Sequence, residues 1–374
     1  MQRLRVIVPV LSLLVLFGCQ SQPDGSSSDS AKSSTGASTI QVVVDPRIEL
    51  LAAVQQYNQF YQQIGLITKR EFPYKDEMRE YFQPYADHEA VRLFNIMADS
   101  GFNFDGPPTA VLHLSKPPEL AEVIPFDDYV VRRAKGRDRL EQFVAALRDF
   151  ARVSYFEEFW QAHQSFYDSV VAAPRIEIAD KNYAGILEDY YGVKQHGYYI
   201  VYAPILHDGG YGPRIAYPDG GYDVYQISGP SGVDGSLPVF GSSSSLRHTT
   251  MHEFSHSFVN PLTEKYAALV DSVAFLFEPI EQRMRQKAYG NWHTCVNEHI
   301  VRAFTTRMRY RFDGQEAGDR TLQNEKDGGF VYIEPLVKAL ERYEANRDRY
   351  PTLSDFYPEL MKTMAGLKPS AEPL

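Results

Sequence analysis

Residues 249 to 258 read Thr249-Thr250-Met251-His252-Glu253-Phe254-Ser255-His256-Ser257-Phe258. On a helix, residues four apart stand one turn above each other on the same face. A helix here therefore presents the imidazoles of His252 and His256 to a single point and sets Glu253 beside them. Met251, Phe254 and Phe258 supply an apolar face to bury, and Glu253 is the only charge in the stretch. Such a helix must lie between a packed core and a cleft, which constrains the fold more than any other segment. Two nitrogen ligands at this spacing, with a carboxylate next to them, form the H-E-x-x-H pattern that holds zinc and takes a proton from an activated water. The plainer account is an ordinary helix that carries the pattern without using it.

A catalytic zinc needs three protein ligands and an open position. The short extension that would add a third histidine is missing, because Leu262 stands six positions after His256. Glu298 is the leading candidate. It lies in Cys295-Val296-Asn297-Glu298-His299-Ile300-Val301-Arg302-Ala303, an otherwise apolar helix face where a carboxylate is costly unless paired or bound. Arg302, one turn on, can orient it. The alternative is a surface Glu298–Arg302 ion pair worth a few tenths of a kcal/mol. Glu278 is the rival ligand, although Pro279 directly after it disfavours helical geometry. Glu264 and Asp271 are nearer the motif but in solvated-looking positions, and His299 points about 100° away from Glu298 on a helix. His248 shares the face of His252 and is either a supporting residue or part of the helix start. His207, Tyr211 and Tyr310 are candidate donors to a developing oxyanion, and Asn260 can brace the motif helix.

Length and composition set the frame. With 374 residues, 44% of them hydrophobic and 13% aromatic, the chain can bury a large core, as one large domain or two ordinary ones. The first eighteen residues are expected to be a leader: Arg3 and Arg5 precede an apolar run from Val6 to Phe17 that is short for a membrane span. The run ends in Leu16-Phe17-Gly18-Cys19, which resembles a bacterial lipobox with Cys19 as the lipidated residue, although Phe17 is bulky for that pattern. Residues 19–38 are rich in Ser, Gly, Ala, Thr and Asp and read as a flexible tether. The expected organisation is a leader at 1–18, a tether at 19–38 and a single domain at 39–374. Removing Arg3 and Arg5 from 38 basic residues leaves 36 against 48 acidic ones, a net charge near −12. That argues against nucleic acid and against an anionic membrane surface as partners. Membrane contact is expected through lipid, at a bacterial envelope facing periplasm or exterior. Cys295 is the one cysteine beyond Cys19, so neither an internal disulfide nor a thiolate zinc cluster is expected.

Read in order, the chain predicts an α+β fold, mainly helical, with a small sheet before the motif helix. A strand at Thr39–Asp45 is followed by a helix from Arg47 to Gln63 opened by Pro46. Helices are expected at Glu77–Tyr81, His88–Met97, Arg137–Arg152, Phe156–Val171 and Ile178–Tyr191, and a strand at Thr109–Leu114. Strands follow at Tyr198–Tyr202, returning as a partner at Arg214–Tyr217 after a glycine turn, and at Tyr222–Ser228. Gly229–Gly241 reads as loop, and Ser242–Ser245 offers serines to cap the motif helix. Pro261 is expected to end that helix. Further helices are expected at Thr263–Phe277, Glu281–Lys287, Cys295–Tyr310, Tyr332–Ala345 and Leu353–Met364.

Four segments together resemble the bacterial proteins of domain-of-unknown-function family 4932, regarded as candidate metallopeptidases. They are Val44-Asp45-Pro46-Arg47-Ile48-Glu49-Leu50-Leu51, His207-Asp208-Gly209-Gly210-Tyr211-Gly212, His252-Glu253-Phe254-Ser255-His256-Ser257-Phe258-Val259-Asn260-Pro261, and Asn297-Glu298-His299-Ile300-Val301-Arg302-Ala303. The resemblance implies a zincin-like fold and supports Glu298 as a site residue, and it names no substrate. The resulting expectation is a lipid-anchored, zinc-dependent peptidase of the glutamate-zincin kind. In it His252, His256 and Glu298 hold one zinc ion and Glu253 acts as general base on a peptide or protein substrate. The competing expectation is a non-catalytic envelope binding or assembly lipoprotein with a structural metal site, which would need a closed fourth ligand from His248 or His299.

Overall fold

Seven strands and a larger set of helices order residues 38–369, which the structure, a computed structural model, describes apart from 219, 242 and 288 and the side chains of 243–245. The expected leader, the expected lipidation site at Cys19 and the expected tether through residue 37 lie outside the described residues, and so do the side chains of the serine cap expected from Ser242–Ser245. The class is α+β and mainly helical, with a small mixed sheet, as the sequence predicts. No described helix is long and apolar enough to cross a membrane.

The strands are β1 (Ile40–Val43), β2 (Gly197–Tyr202), β3 (Gly210–Tyr211), β4 (Arg214–Ala216), β5 (Tyr222–Ser228), β6 (Gly232–Asp234) and β7 (Leu237–Val239). β2 lies parallel between β1 and β5, with Ile200 opposite Val42 on one side and Gln226 on the other. Both edges of β2 are thereby occupied. The Arg214 strand therefore pairs antiparallel with β5 and not, as the glycine turn suggests, with Tyr198–Tyr202. β3 pairs antiparallel with the same edge of β5. Gly229–Gly241, expected as loop, contains the β6–β7 hairpin.

Several helix boundaries differ from expectation for identifiable reasons. The first helix splits into Pro46–Gln55 and Gln59–Ile64, because the Asn58 side chain accepts from Tyr61 N at 2.7 Å and caps a new start. Thr109–Leu114 is not a strand: Gly106–Leu112 is helical, and Pro107 and Pro108 sit in the first turn, where a missing N–H costs nothing. The Phe156–Val171 segment breaks at His163, and its second helix runs from Gln164 to Ala179, so Ile178 belongs to it and the next helix is Tyr183–Tyr191. Thr263–Phe277 is likewise interrupted: Ala267–Asp271 and a short 3-10 turn at Ala274–Leu276 replace one long helix. Gln315–Asp327 is a helix the apolar pattern does not announce.

The motif helix runs from Ser243 to Lys265, straight through Pro261. Proline removes a single backbone donor, and here the last turn is held from outside. Thr263 Oγ1 donates to Asn297 Oδ1 and lies 2.7 Å from the Tyr357 hydroxyl, while Tyr266 N still reaches Leu262 O at 2.9 Å. Met251, Phe254 and Phe258 are buried as the pattern requires. Phe254 meets Tyr198 of β2 at a centroid distance of 5.2 Å, and Phe258 stacks on Tyr191 at 4.6 Å. Full burial of a phenylalanine stabilises by roughly 1.5–3 kcal/mol, so these contacts fix the roll of the helix and hence the direction of its histidines. On its other side packs the helix Trp292–Asp313, started by Asn291, whose side chain accepts from Thr294 N at 2.9 Å, and stopped at Gly314, where φ is 85°. The two long helices bring His252, His256 and Glu298 together.

Candidate metal centre

Three side chains converge. His256 Nε2 lies 3.4 Å from His252 Nε2 and 3.2 Å from Glu298 Oε1, and His252 Nε2 lies 3.7 Å from Glu298 Oε2. Among the described residues this is the one group of His, Cys, Asp or Glu whose ligand atoms come close enough to share a metal ion. Ligand atoms about 2.0–2.1 Å from a tetrahedral zinc stand about 3.3 Å from one another, close to the spacings observed. The neighbours fit the same reading. His256 Nδ1 faces Asn260 Oδ1 at 3.2 Å, a contact that favours a proton on Nδ1 and so leaves Nε2 as the ring's metal-ligating nitrogen.

Electrostatics act differently on the three donors. Burial drives the His252 pKa down to about 3, so its ring is neutral with a free lone pair. Burial opposes the charge on His256 too, but the Glu298 carboxylate, 3.2 Å from its Nε2, outweighs it and raises that pKa, so without a metal the ring favours a proton on Nε2 that a metal ion would displace. Burial likewise opposes ionised Glu298, yet His256, His252 and Arg302 hold its carboxyl at about 2.

Arg302 does more than pair with its helix neighbour. Its Nε donates to Glu298 Oε2 at 3.0 Å, Nη1 donates to Glu325 at 2.9 and 3.2 Å, and Nη2 donates to the Tyr289 hydroxyl at 3.3 Å. The guanidinium lies 4.2 Å over the Phe330 ring. Glu298 is 8% exposed and Glu325 12%, so this is a buried network and not a surface pair. Glu325 and Tyr289 have no local sequence signal, since they reach the site only through tertiary packing.

Glu253 stands beside the triad on the motif helix, and burial, outweighing the charges of His256 and Arg302, raises its pKa. It lines a cavity of about 260 Å³ together with Gln226, Ser228, Gly229 and Thr249. The glycine loop before β4 closes on it: a methyl group on Gly212 would lie 3.0 Å from Glu253 Oε2. Gln226 is buried, and its Oε1 has no partner among the described residues. On the other side of the same loop, His256, Asn260 and Gly212 border a second cavity of about 640 Å³. Its importance is not visible in the motif, because Asp105, Asp127 and Tyr129 come from distant segments.

Other expected residues are placed differently. His207 Nε2 and the Tyr211 hydroxyl lie 3.1 Å apart and satisfy each other, so the loop that carries them meets the site through Gly212. Tyr310 donates to Asp319 at 2.7 Å, on a surface away from the triad. Glu278 is exposed in a short 3-10 turn and is not in the metal group. Glu264 accepts from Arg214 at 3.1 Å and Asp271 lies 2.8 Å from His293, both exposed. The His248 ring lies tilted, its centroid 6.1 Å from that of His252, without joining the ligand group. His299 is buried with its Nδ1 donating to the Cys295 carbonyl at 2.8 Å, and it too lies outside the group. Cys295 is a buried free thiol.

No curated protein matches the chain. No solved structure matches it either. The sequence does match the family described as Domain of unknown function (DUF4932) over residues 40–363, a span that takes in every residue of this centre, and the chain belongs to that family.

Proposed function

We propose that the chain is a zinc-dependent peptidase with a zincin-like catalytic arrangement. The observation that carries the reading is the meeting of His252, His256 and Glu298 with Glu253 directly beside them. Two imidazoles and one carboxylate, with no fourth protein ligand among the described residues, suit a zinc that keeps one position open. Zinc held there would acidify a water and polarise a carbonyl. Glu253, with its pKa raised by burial, is suited to accept that water's proton and to pass it to the leaving amine. Asn260 holds the His256 ring, and Arg302 holds the Glu298 carboxylate, in the orientations that ligation needs. The short antiparallel edge at β3 and β4 offers main-chain groups to an extended peptide, with a cavity on each side.

The reading extends to location: Arg3 and Arg5, the apolar run and Cys19 support a lipid anchor at a bacterial envelope. The test is digestion of a peptide library by the purified protein, with and without a chelator and with zinc restored. Chelator-sensitive cleavage is expected. Glu253→Gln should keep zinc and lose about 10²–10⁴-fold in rate, whereas His252→Ala should lose both zinc and activity. Cleavage that persists at full rate in Glu253→Gln would defeat the proposed role of that residue.

A further inference from the structure

The cavity of about 640 Å³ beside His256 has a wall whose chemistry is not explained by holding a metal. Its volume is within the range of about 300–1,000 Å³ typical of ligand sites. Four carboxylates, Asp105, Asp127, Asp128 and Glu264, line it against two guanidiniums, Arg132 and Arg214. Arg214 is already committed, donating to Glu264 at 3.1 Å and lying 5.2 Å over the Tyr222 ring. Asp105 accepts from the Tyr129 hydroxyl at 2.6 Å, and Arg133 approaches it only to 3.9 Å. Asp127 caps the helix Asp128–Arg133 by accepting from Val130 N at 2.8 Å. Asp128 has no ion pair among the described residues. On the cavity wall Asp127 and Asp128 therefore have Arg132 as their one uncommitted guanidinium, and Asp105 has Arg133 only at the 3.9 Å limit of an ion pair.

A second observation is independent of charge. Ser257 is 2% exposed and lines the same cavity, and its hydroxyl has no partner among the described residues. A buried hydroxyl without a partner keeps an uncompensated desolvation cost, which a ligand donor or acceptor removes. The carboxylates are too dispersed to form a second metal group. Dispersed acceptors around an aromatic wall suit a cation whose charge is spread or reached by a long stem, and Tyr129 supplies that wall.

We propose that this cavity receives a cationic side chain, arginine or lysine, of a peptide lying across the metal centre. The proposal rests on the peptidase reading and adds its substrate class. A peptide seated between Gly212 and Asn260 brings its cationic residue against Asp105, Asp127 and Asp128 while its backbone passes His256 and Glu253.

The experiment uses quenched fluorescent peptides that differ at a single position, arginine against its neutral isostere citrulline and lysine against norleucine, scanned along the sequence. Arginine should exceed citrulline by about tenfold or more in kcat/KM at its preferred position, and Asp128→Asn should reduce that ratio severalfold through KM. Asp128 is exposed and bears no cap, so its substitution tests the wall without loss of fold; Asp105→Asn adds a second point. Calorimetry of zinc-loaded Glu253→Gln with the same peptides gives a readout independent of turnover, with tighter binding expected for arginine. Cleavage that ignores charge would overturn the cavity proposal and leave the peptidase reading standing. Preferential arginine binding with no cleavage of any peptide by the wild type would support the cavity and defeat the peptidase reading. Equal binding of arginine and citrulline peptides, with no cleavage, would overturn both.

Discussion

Arg302→Met in the metal-free protein tests whether the network behind the candidate ligand is buried in the energetic sense. The guanidinium contacts Glu298 at 3.0 Å and Glu325 at 2.9 Å, and the two carboxylates are 8% and 12% exposed. An exposed pair of this kind contributes about 0.2–1 kcal/mol, whereas stranding a buried charge costs about 3–5 kcal/mol. Glu298 retains His256 at 3.2 Å, which places the expected loss near the lower end, about 3 kcal/mol. Adding Glu325→Gln removes one stranded charge and should recover at least about 1 kcal/mol, a coupling that a double-mutant cycle isolates. The sign of the pH dependence follows from the depressed Glu298 pKa, about 2 against an ordinary 4.5. Its stabilisation is complete above 4.5 and is lost as pH falls towards 2. Removing Arg302 raises that pKa, so the gap between wild type and variant should close through the same window. The assay is urea unfolding with chelator present, at pH 7 and then in steps below pH 4.5. A loss under about 0.5 kcal/mol at pH 7 would show that Arg302 behaves as a solvated surface cation and that the network is not buried energetically.

Asn260→Ala removes the group facing His256 Nδ1 and should weaken metal binding by about 10–100-fold in a competition titration, with the fold intact. Gly212→Ala should lower kcat without displacing the metal or the melting temperature, because the added methyl group would crowd Glu253 Oε2 at 3.0 Å; unchanged kcat with zinc-loaded protein would count against the position given to that carboxylate. Glu49 is fully buried against Tyr74, and burial raises its pKa to about 8. The folded state then holds a proton that the unfolded state releases above 4.5, so wild-type stability falls by about 1.4 kcal/mol per pH unit from this group between 4.5 and 8. Glu49→Gln lacks that penalty, and its stability relative to wild type should climb with pH across the window and level off above it; a constant difference from pH 5 to 8 would contradict the shift.

The parts of the centre legible in the sequence are those set by short-range periodicity. The i, i+4 spacing of His252 and His256 and the apolar face at Met251, Phe254 and Phe258 fix a helix and its roll without knowledge of anything else. Glu298 is signalled by its cost, a carboxylate among Val296, Ile300 and Val301. What relieves that cost is not legible, because Glu325 lies 23 residues from Arg302 and Tyr289 lies 13 before it, joined only by packing. Pro261 shows the opposite failure. A local rule ends the helix there, but Thr263, held by Asn297 and Tyr357 across distances of 34 and 94 residues, keeps the last turn in place. The sheet is misread for a related reason. A glycine turn between Tyr202 and Arg214 suggests a hairpin, whereas β1, more than 150 residues earlier, and β5 together occupy both edges of β2. The acidic cavity is assembled from a turn at Asp105, a short helix at Asp128 and the motif helix, so no window of sequence contains it.

The peptidase proposal depends on His252, His256 and Glu298 together holding one zinc ion. Elemental analysis of the purified protein after zinc loading and exhaustive dialysis, run beside His252→Ala/His256→Ala, tests it most directly. One zinc per wild-type chain and essentially none in the double variant is expected, with both proteins folded by circular dichroism. Zinc retained at full stoichiometry in the folded double variant would contradict it.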